Sequence, residues 1–266
     1  MAGLEGIDAA SMEIVDALQA RFVYDEQTRI VRPLVRHADF VPVAVHGAAV
    51  RAAKAKGGET AASFGEAADD ERVIARVRFG MPGFQGRLIT NARDDKLREA
   101  RSWKALLGKP QHHCLTAVSY VVERAGKDVR PVGGIEPGGT YRIQRRDGRP
   151  MVVPGLCAVR HLSFSSTGNE YDDLCHVQIT TEADRLVGTI HDRFVVDLAD
   201  AAARDAWMAA DVEACMALLR SAPDEAYEMA PVSGDVWTRR KDPDAVEPVG
   251  RPVAWEDVQD KGQRTL

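Results

Sequence analysis

The chain has 266 residues, 45% of them hydrophobic, and a formal net charge of −5 at pH 7. That length and apolar content suit a globular protein with a full core, and the acidic balance argues against indiscriminate binding to polyanions. The longest apolar runs, Phe40 to Val45 and Met151 to Val153, fall far short of a membrane span, so no membrane association is expected.

The opening "MAGLEGIDAASMEIVDALQA" is acidic and amphipathic, unlike a signal peptide, which makes a cytoplasmic location the expectation. Residues 8–20 read as a short helix, with Met12, Val15 and Leu18 near helical spacing and Asp8 as a cap, so 1–18 is taken as a helical N-terminal extension. "RFVY" and "DFVPVAVHG" then read as strands, and the small-residue, charged stretch 52–71 as a mobile surface insertion crossed by few contacts. "NARDDKLREARSWKALLGK" predicts a helix over 91–109, with acids in its first turn and Gly108 as its C-cap. A strand-rich middle follows: "CLTAVSYVVER", "TYRIQRRDGRPMVVPGLCAV" with an Asp-Gly hairpin signal, and "HVQITTEA". A second long helix is predicted from about Asp200 to Arg220, with Met208, Val212, Cys215 and Leu219 on one face.

Cys114, Cys157, Cys175 and Cys215 lie far apart with no Cys-x-x-Cys pair and read as buried free thiols. "HHC" at 112–114 and "CH" at 175–176 sit in apolar, strand-like segments, so no metal and no cofactor are expected. Two arginine clusters, at 76–93 and 142–149, read as solvated strand faces. "TIHDRFVVDL", residues 189–198, looks like a strand whose start carries three ionisable residues, either an internal salt bridge or the lip of a site. With strands dominant and helices inserted between them, the fold class is α+β: a curved antiparallel sheet or open barrel in one domain over 19–242, followed by a tail at 243–266.

Four stretches, in order, carry a resemblance. "FGMPGF…LITNARDD" (79–95) is similar to a Trp-Gly-Leu-Ile-Pro turn followed by Asn-Ala-Arg-Ala-Glu, and "HCLTAVSYVVER" (113–124) to Arg-Cys-Leu-Ile-Pro-Ala-Asp-Gly-Phe-Tyr-Glu-Trp. "YRIQRRDGRPMVVPGLC" (141–157) resembles a hairpin ending in Ala-Gly-Leu-Trp, and "ITTEADRLVGTIHDRFVVDL" (179–198) resembles Leu-Thr-Thr-Glu-Ala…Ile-His-Asp-Arg-Met-Pro. Together with "MAPVSGDVWTRRKD" near the end, they resemble the SRAP family, the SOS response-associated peptidases or abasic-site processing proteins. The resemblance implies a role in the DNA damage (SOS) response and single-stranded DNA, abasic sites included, as partner. It implies a cleft lined by Asn91, Glu123 and His191, in which a carboxylate beside an imidazole would shuttle protons to an aldehydic sugar that an amide orients. It further implies that Arg21, Arg93 and Arg193 contact phosphates and that Phe84 stacks on a base.

Family members begin Met-Cys-Gly-Arg, and the N-terminal Cys closes a thiazolidine on the abasic aldehyde. No Cys stands near this N-terminus. The stretch similar to that opening, "QARFVY", puts Gln19 at the nucleophile position, where a side-chain amide and a backbone nitrogen already in a peptide bond are both unreactive. The family's cross-linking, lyase and self-peptidase activities are therefore in question. Three readings follow: a non-catalytic binder of single-stranded or abasic DNA, a Schiff-base lyase using another amine such as that of Ala2 or a Lys, and an interaction protein with a relict cleft.

Overall fold

Phe40–His46 and Arg72–Phe79 are short runs rich in Val, Ile and Ala, and both faces of each are buried over most of its length. The computed structural model describes residues 4–24, 29–32, 35, 38–57, 61–83, 87–164, 169–239 and 241–262. Around the barrel the order is Arg72–Phe79, Phe40–His46, His113–Val118, Met151–Phe164 and Asn169–Glu182, each antiparallel to the next. Asn169–Glu182 then meets Arg72–Phe79 in parallel, with Cys175 opposite Arg78 and His176 opposite Phe79, and closes a five-stranded barrel. Closure removes the free sheet edges that an open sheet would carry. Gly155 lies where two strands crowd: a Cβ there would sit 2.4 Å from the Val177 carbonyl oxygen and 2.9 Å from Cys114 Sγ.

The α+β expectation is met, and the sheet is rolled until it closes. A second sheet is ordered Val253–Ala254, Tyr227–Pro231, Thr140–Arg145, Tyr120–Arg124, Leu4–Ala10 and Arg29–Arg32. Its core joins Val121, Ile143 and Met229 to Val187, Ile190 and Phe194.

Several local expectations change. Residues 4–18 are not an appended helix: Leu4–Ala10 is a strand paired on both sides, and the helix Ser11–Leu18 buries Ile14 and Leu18 completely. "LEGIDAA" has little intrinsic strand character, so its conformation comes from its neighbours. In the 52–71 stretch most described side chains are exposed, and three anchor it: the helix Gly47–Ala55 buries Ala53, the turn Ala61–Ser63 buries Ala61, and Phe64 is buried, with Lys54 Nζ donating to the Phe64 carbonyl oxygen at 3.2 Å. The Asp147–Gly148 turn, with Gly148 at φ +72°, joins Thr140–Arg145 to Met151–Phe164, but these strands belong to different sheets and do not form a hairpin. The 91–109 helix is broken into the strand Asn91–Arg93, the turn Asp94–Lys96 and the helix Arg101–Leu107. The 200–220 helix divides into Ala201–Met208 and Val212–Leu218, with Asp200 and Asp211 capping the two starts. The tail joins the second sheet through Val253, opposite Met229. All four cysteines are buried and unbridged, and among the described residues no helix is long and apolar enough to cross a membrane.

Candidate functional site

The sequence Asn91-Ala92-Arg93 adds a short strand in parallel to Asn169–Glu182, with Asn91 opposite Gln178 and Arg93 opposite Thr180. Strand alternation sends Ala92 into the core at 1% exposure and leaves Asn91 and Arg93 on the other face. Asn91 is half-buried, and its Oδ1 has no hydrogen-bond donor. The chain then turns through Asp94–Lys96, where Asp94 accepts from Thr181 Oγ1 at 2.8 Å and from Arg193 Nη2 at 2.5 Å.

The charged start of "TIHDRFVVDL" lies outside a strand. Val187–Thr189 forms a short 3-10 turn, His191 and Asp192 follow it, and only Arg193–Val195 is extended, antiparallel to Thr180–Glu182. The His191 side chain is 26% exposed. Its Nδ1 lies 2.9 Å from the Arg193 carbonyl oxygen, to which it donates when it carries the proton, and 3.1 Å from the Arg193 N–H, from which it accepts when it does not. Glu123 is buried in Tyr120–Arg124. By alternation it shares a face with Val121 and Ala125, which pack in one cluster with Ile190 and Phe194, the residues flanking the His191 turn. Asn91, Arg93, His191 and Arg193 thus share one end of the barrel, and Glu123 faces the same cluster from the second sheet.

Gln19 and Arg21 come from the segment that follows the first helix. Arg21–Phe22 is parallel to Arg72–Phe79, with Arg21 opposite Val73. Counting through Arg78 opposite Cys175 and Thr180 opposite Arg93, Arg21 and Arg93 are ten strand positions apart. Around the barrel, Val73, Val45, Cys114, Gly155 and Gln178 are successive neighbours and Gln178 lies opposite Asn91, so the same register also brings Arg21 level with Asn91. Gln19 ends the Ser11–Leu18 helix at φ +52°, and its Oε1 accepts from Arg72 Nη1 at 3.5 Å. The strand beside Glu123 is instead Leu4–Ala10, with Leu4 opposite Val122. "QARFVY" resembles an opening strand locally, and in this chain it follows the first helix, with Arg21–Phe22 paired to Arg72–Phe79. Phe84 lies outside the described residues.

Each arginine that the resemblance assigns to phosphate contact is matched in the structure by a carboxylate. Arg21 Nε donates to Glu71 at 2.7 Å, and Arg93 donates to both oxygens of Asp95 at 2.9 Å. Arg193 is held by Asp94 and the Thr180 carbonyl. The hydrogen bond from Arg93 keeps the exposed Asp95 carboxyl below its usual range. These acids are functional candidates that the sequence reading passed over, although "NARDD" writes two of them beside Arg93.

A cavity of about 580 Å³ lies away from this lip, with Asp8, Glu13 and Asp16 facing Arg142, Arg145 and Arg149. None of the expected site residues lines it. Among the described residues no group of three His, Cys, Asp or Glu side chains is placed to hold a metal ion. Burial pushes the Cys175 and Cys215 thiols up to about 12, so neither supplies a thiolate near neutral pH.

The family model described as SOS response associated peptidase (SRAP) matches residues 17–238. No curated protein matches the chain. Its fold is similar to the crystal structure of a protein from Bacteroides thetaiotaomicron, at TM-score 0.61 and 16% identity over 93% of this chain and 99% of that one. It is also similar to a protein from Bordetella bronchiseptica (TM-score 0.57, 18% identity, 88% of this chain and 100% of that one). A phage-related protein from the same organism has TM-score 0.57 and 21% identity over 86% of this chain and 93% of that one.

Proposed function

The chain belongs to the SOS response associated peptidase (SRAP) family, and from that premise we propose that it binds single-stranded DNA, abasic sites included, at the lip formed by Asn91, Arg93, His191 and Arg193, without forming a thiazolidine. Family membership suggests a role in the response to DNA damage.

The observation that carries this reading is the Asn91 Oδ1 atom, buried and without a donor. A buried acceptor left unsatisfied costs about 1–3 kcal/mol, and a sugar hydroxyl is a donor that would satisfy it. On the same lip, His191 can relay a proton to or from a bound sugar, and Arg93 can exchange its exposed Asp95 partner for two oxygens of a phosphate, which accept from the guanidinium in the same bidentate manner. The buried cysteines and the placement of Gln19 on the Arg72 side support binding without a thiol-trapped adduct.

A second reading, Schiff-base chemistry by another amine, is favoured by one observation: Leu4 lies opposite Val122, so the first strand enters the sheet next to Glu123. The test incubates the protein with single-stranded DNA containing an abasic site, with and without borohydride, and measures binding over a range of salt. Salt-sensitive binding without an adduct supports the first reading, and a borohydride-dependent adduct supports the second. A borohydride-independent adduct overturns the claim that no thiazolidine forms, and absence of binding overturns the DNA reading.

A further inference from the structure

The loop from Ala183 to Asp192 delivers His191, and one buried side chain holds it. Asp184, 8% exposed, accepts from the Val187 N–H through Oδ1 at 2.7 Å, while its own carbonyl oxygen accepts from Gly188 N–H at 2.8 Å. The Val187 carbonyl oxygen in turn accepts from the N–H groups of Ile190 and His191 at 2.9 and 3.0 Å. Ala183 N–H donates to the Asp192 carbonyl oxygen at 3.0 Å and closes the loop at its base. An unbroken series of hydrogen bonds therefore runs from the Asp184 carboxylate to the His191 backbone.

The second oxygen, Asp184 Oδ2, is buried with no donor. The charged group facing it is like-charged: Asp224, also 8% exposed, whose oxygens are both taken by Arg185, from its N–H at 2.6 Å and from Nε at 2.7 Å. Arg185 donates to Asp224 and stacks over Trp255 at 4.4 Å, and the hydroxyl of the neighbouring Tyr227 donates to Asp197 at 3.3 Å, so neither supplies Oδ2 with a donor.

We propose that Asp184 is a positioning residue for His191, its carboxylate clamping the 187–189 turn and loosening it when Oδ2 is protonated. The inference rests on His191 belonging to the DNA-binding lip. A neutral carboxyl accepts a hydrogen bond more weakly than a carboxylate, and its new O–H would turn toward Asp224. Burial, and then the Asp224 charge, push the Asp184 carboxyl up to about 6, so the clamp would work close to physiological pH.

The test follows the Val187, Gly188, Ile190 and His191 backbone amides by NMR and hydrogen exchange from about pH 5 to pH 8, in the full chain carrying His191→Gln so that imidazole titration is removed; in that background the position-191 amide is that of the Gln. The expected result is a common inflection near pH 6, abolished by Asp184→Asn and moved to lower pH by Asp224→Asn. With Asp184→Ala these amides should exchange about fivefold faster or more, the size of a lost cap. Amides without the common inflection, or one that persists in Asp184→Asn, overturn the proposal. If Asp184→Asn does not fold, the Asp224→Asn shift decides by itself. DNA binding is measured separately with the His191 side chain intact. An amide inflection together with DNA binding indifferent to both His191→Gln and Asp184→Asn supports the clamp and counts against the DNA reading.

Discussion

Two arginine–aspartate pairs set the barrel wall against the lip. In the wall, Arg78 and Asp173 meet at 3.1 Å with side-chain exposures of 6% and 0%, and the guanidinium also lies 4.1 Å from the Phe40 ring and donates to the Ala38 carbonyl oxygen. At the lip, Arg93 and Asp95 meet at 2.9 Å with 55% and 44% exposed. The chemistry is the same and the solvent is not. A desolvated pair cannot lose one member without stranding a charge, whereas an exposed pair is worth little and is open to a competing anion.

Breaking the wall pair should have the largest effect. Asp173→Ala should cost about 3–5 kcal/mol in urea unfolding. Arg93→Ala should change stability by less than about 0.5 kcal/mol while weakening single-stranded DNA binding and flattening its salt dependence. Equal losses of stability would break the comparison.

Acid should act on the two regions with opposite sign. Burial holds His113 and His176 neutral down to about 4. The unfolded chain takes up these protons first, so their contribution is complete above about pH 6.5 and is lost as pH falls towards 4. It amounts to at most about 3 kcal/mol each. His176→Gln should flatten the fall in stability between about pH 6.5 and 4.5. Asp184, behind the lip, is raised to about 6, so its ionised form is the one that folding disfavours. Asp184→Asn should therefore stabilise the protein above pH 6 by about 1–3 kcal/mol, with no gain near pH 4. Melting curves in parallel buffers measure both.

The smallest expected effect sharpens the comparison most. Asp95→Asn should leave folding unchanged and free Arg93 for phosphate, tightening single-stranded DNA binding several-fold and steepening the salt slope by about one ion. Unchanged affinity would mean that Arg93 does not meet the DNA backbone.

The lip was legible where its residues are neighbours in sequence. "IHDR" stood out because ionisable side chains interrupt apolar, strand-like text, and "NARDD" because it resembles Asn-Ala-Arg-Ala-Glu; both stretches flank the far end of Asn169–Glu182. Local pattern failed where pairing decided. The acids and amphipathic spacing of 91–109 read as one helix, yet its first residues extend a sheet, because parallel pairing with Gln178 to Thr180 satisfies their backbone.

By itself, the sequence determined the α+β class, the strands rich in Val and Ile, the unbridged cysteines and the family, since each rests on side-chain type and short-range order. Only the tertiary structure decided that the sheet closes on itself, that residues 4–10 complete the second sheet beside Glu123, and that the arginines are matched by Glu71, Asp94 and Asp95. Those outcomes depend on contacts between residues far apart in the chain, whose partners are chosen by register and burial together, and a one-residue change in register would exchange every inward side chain for an outward one.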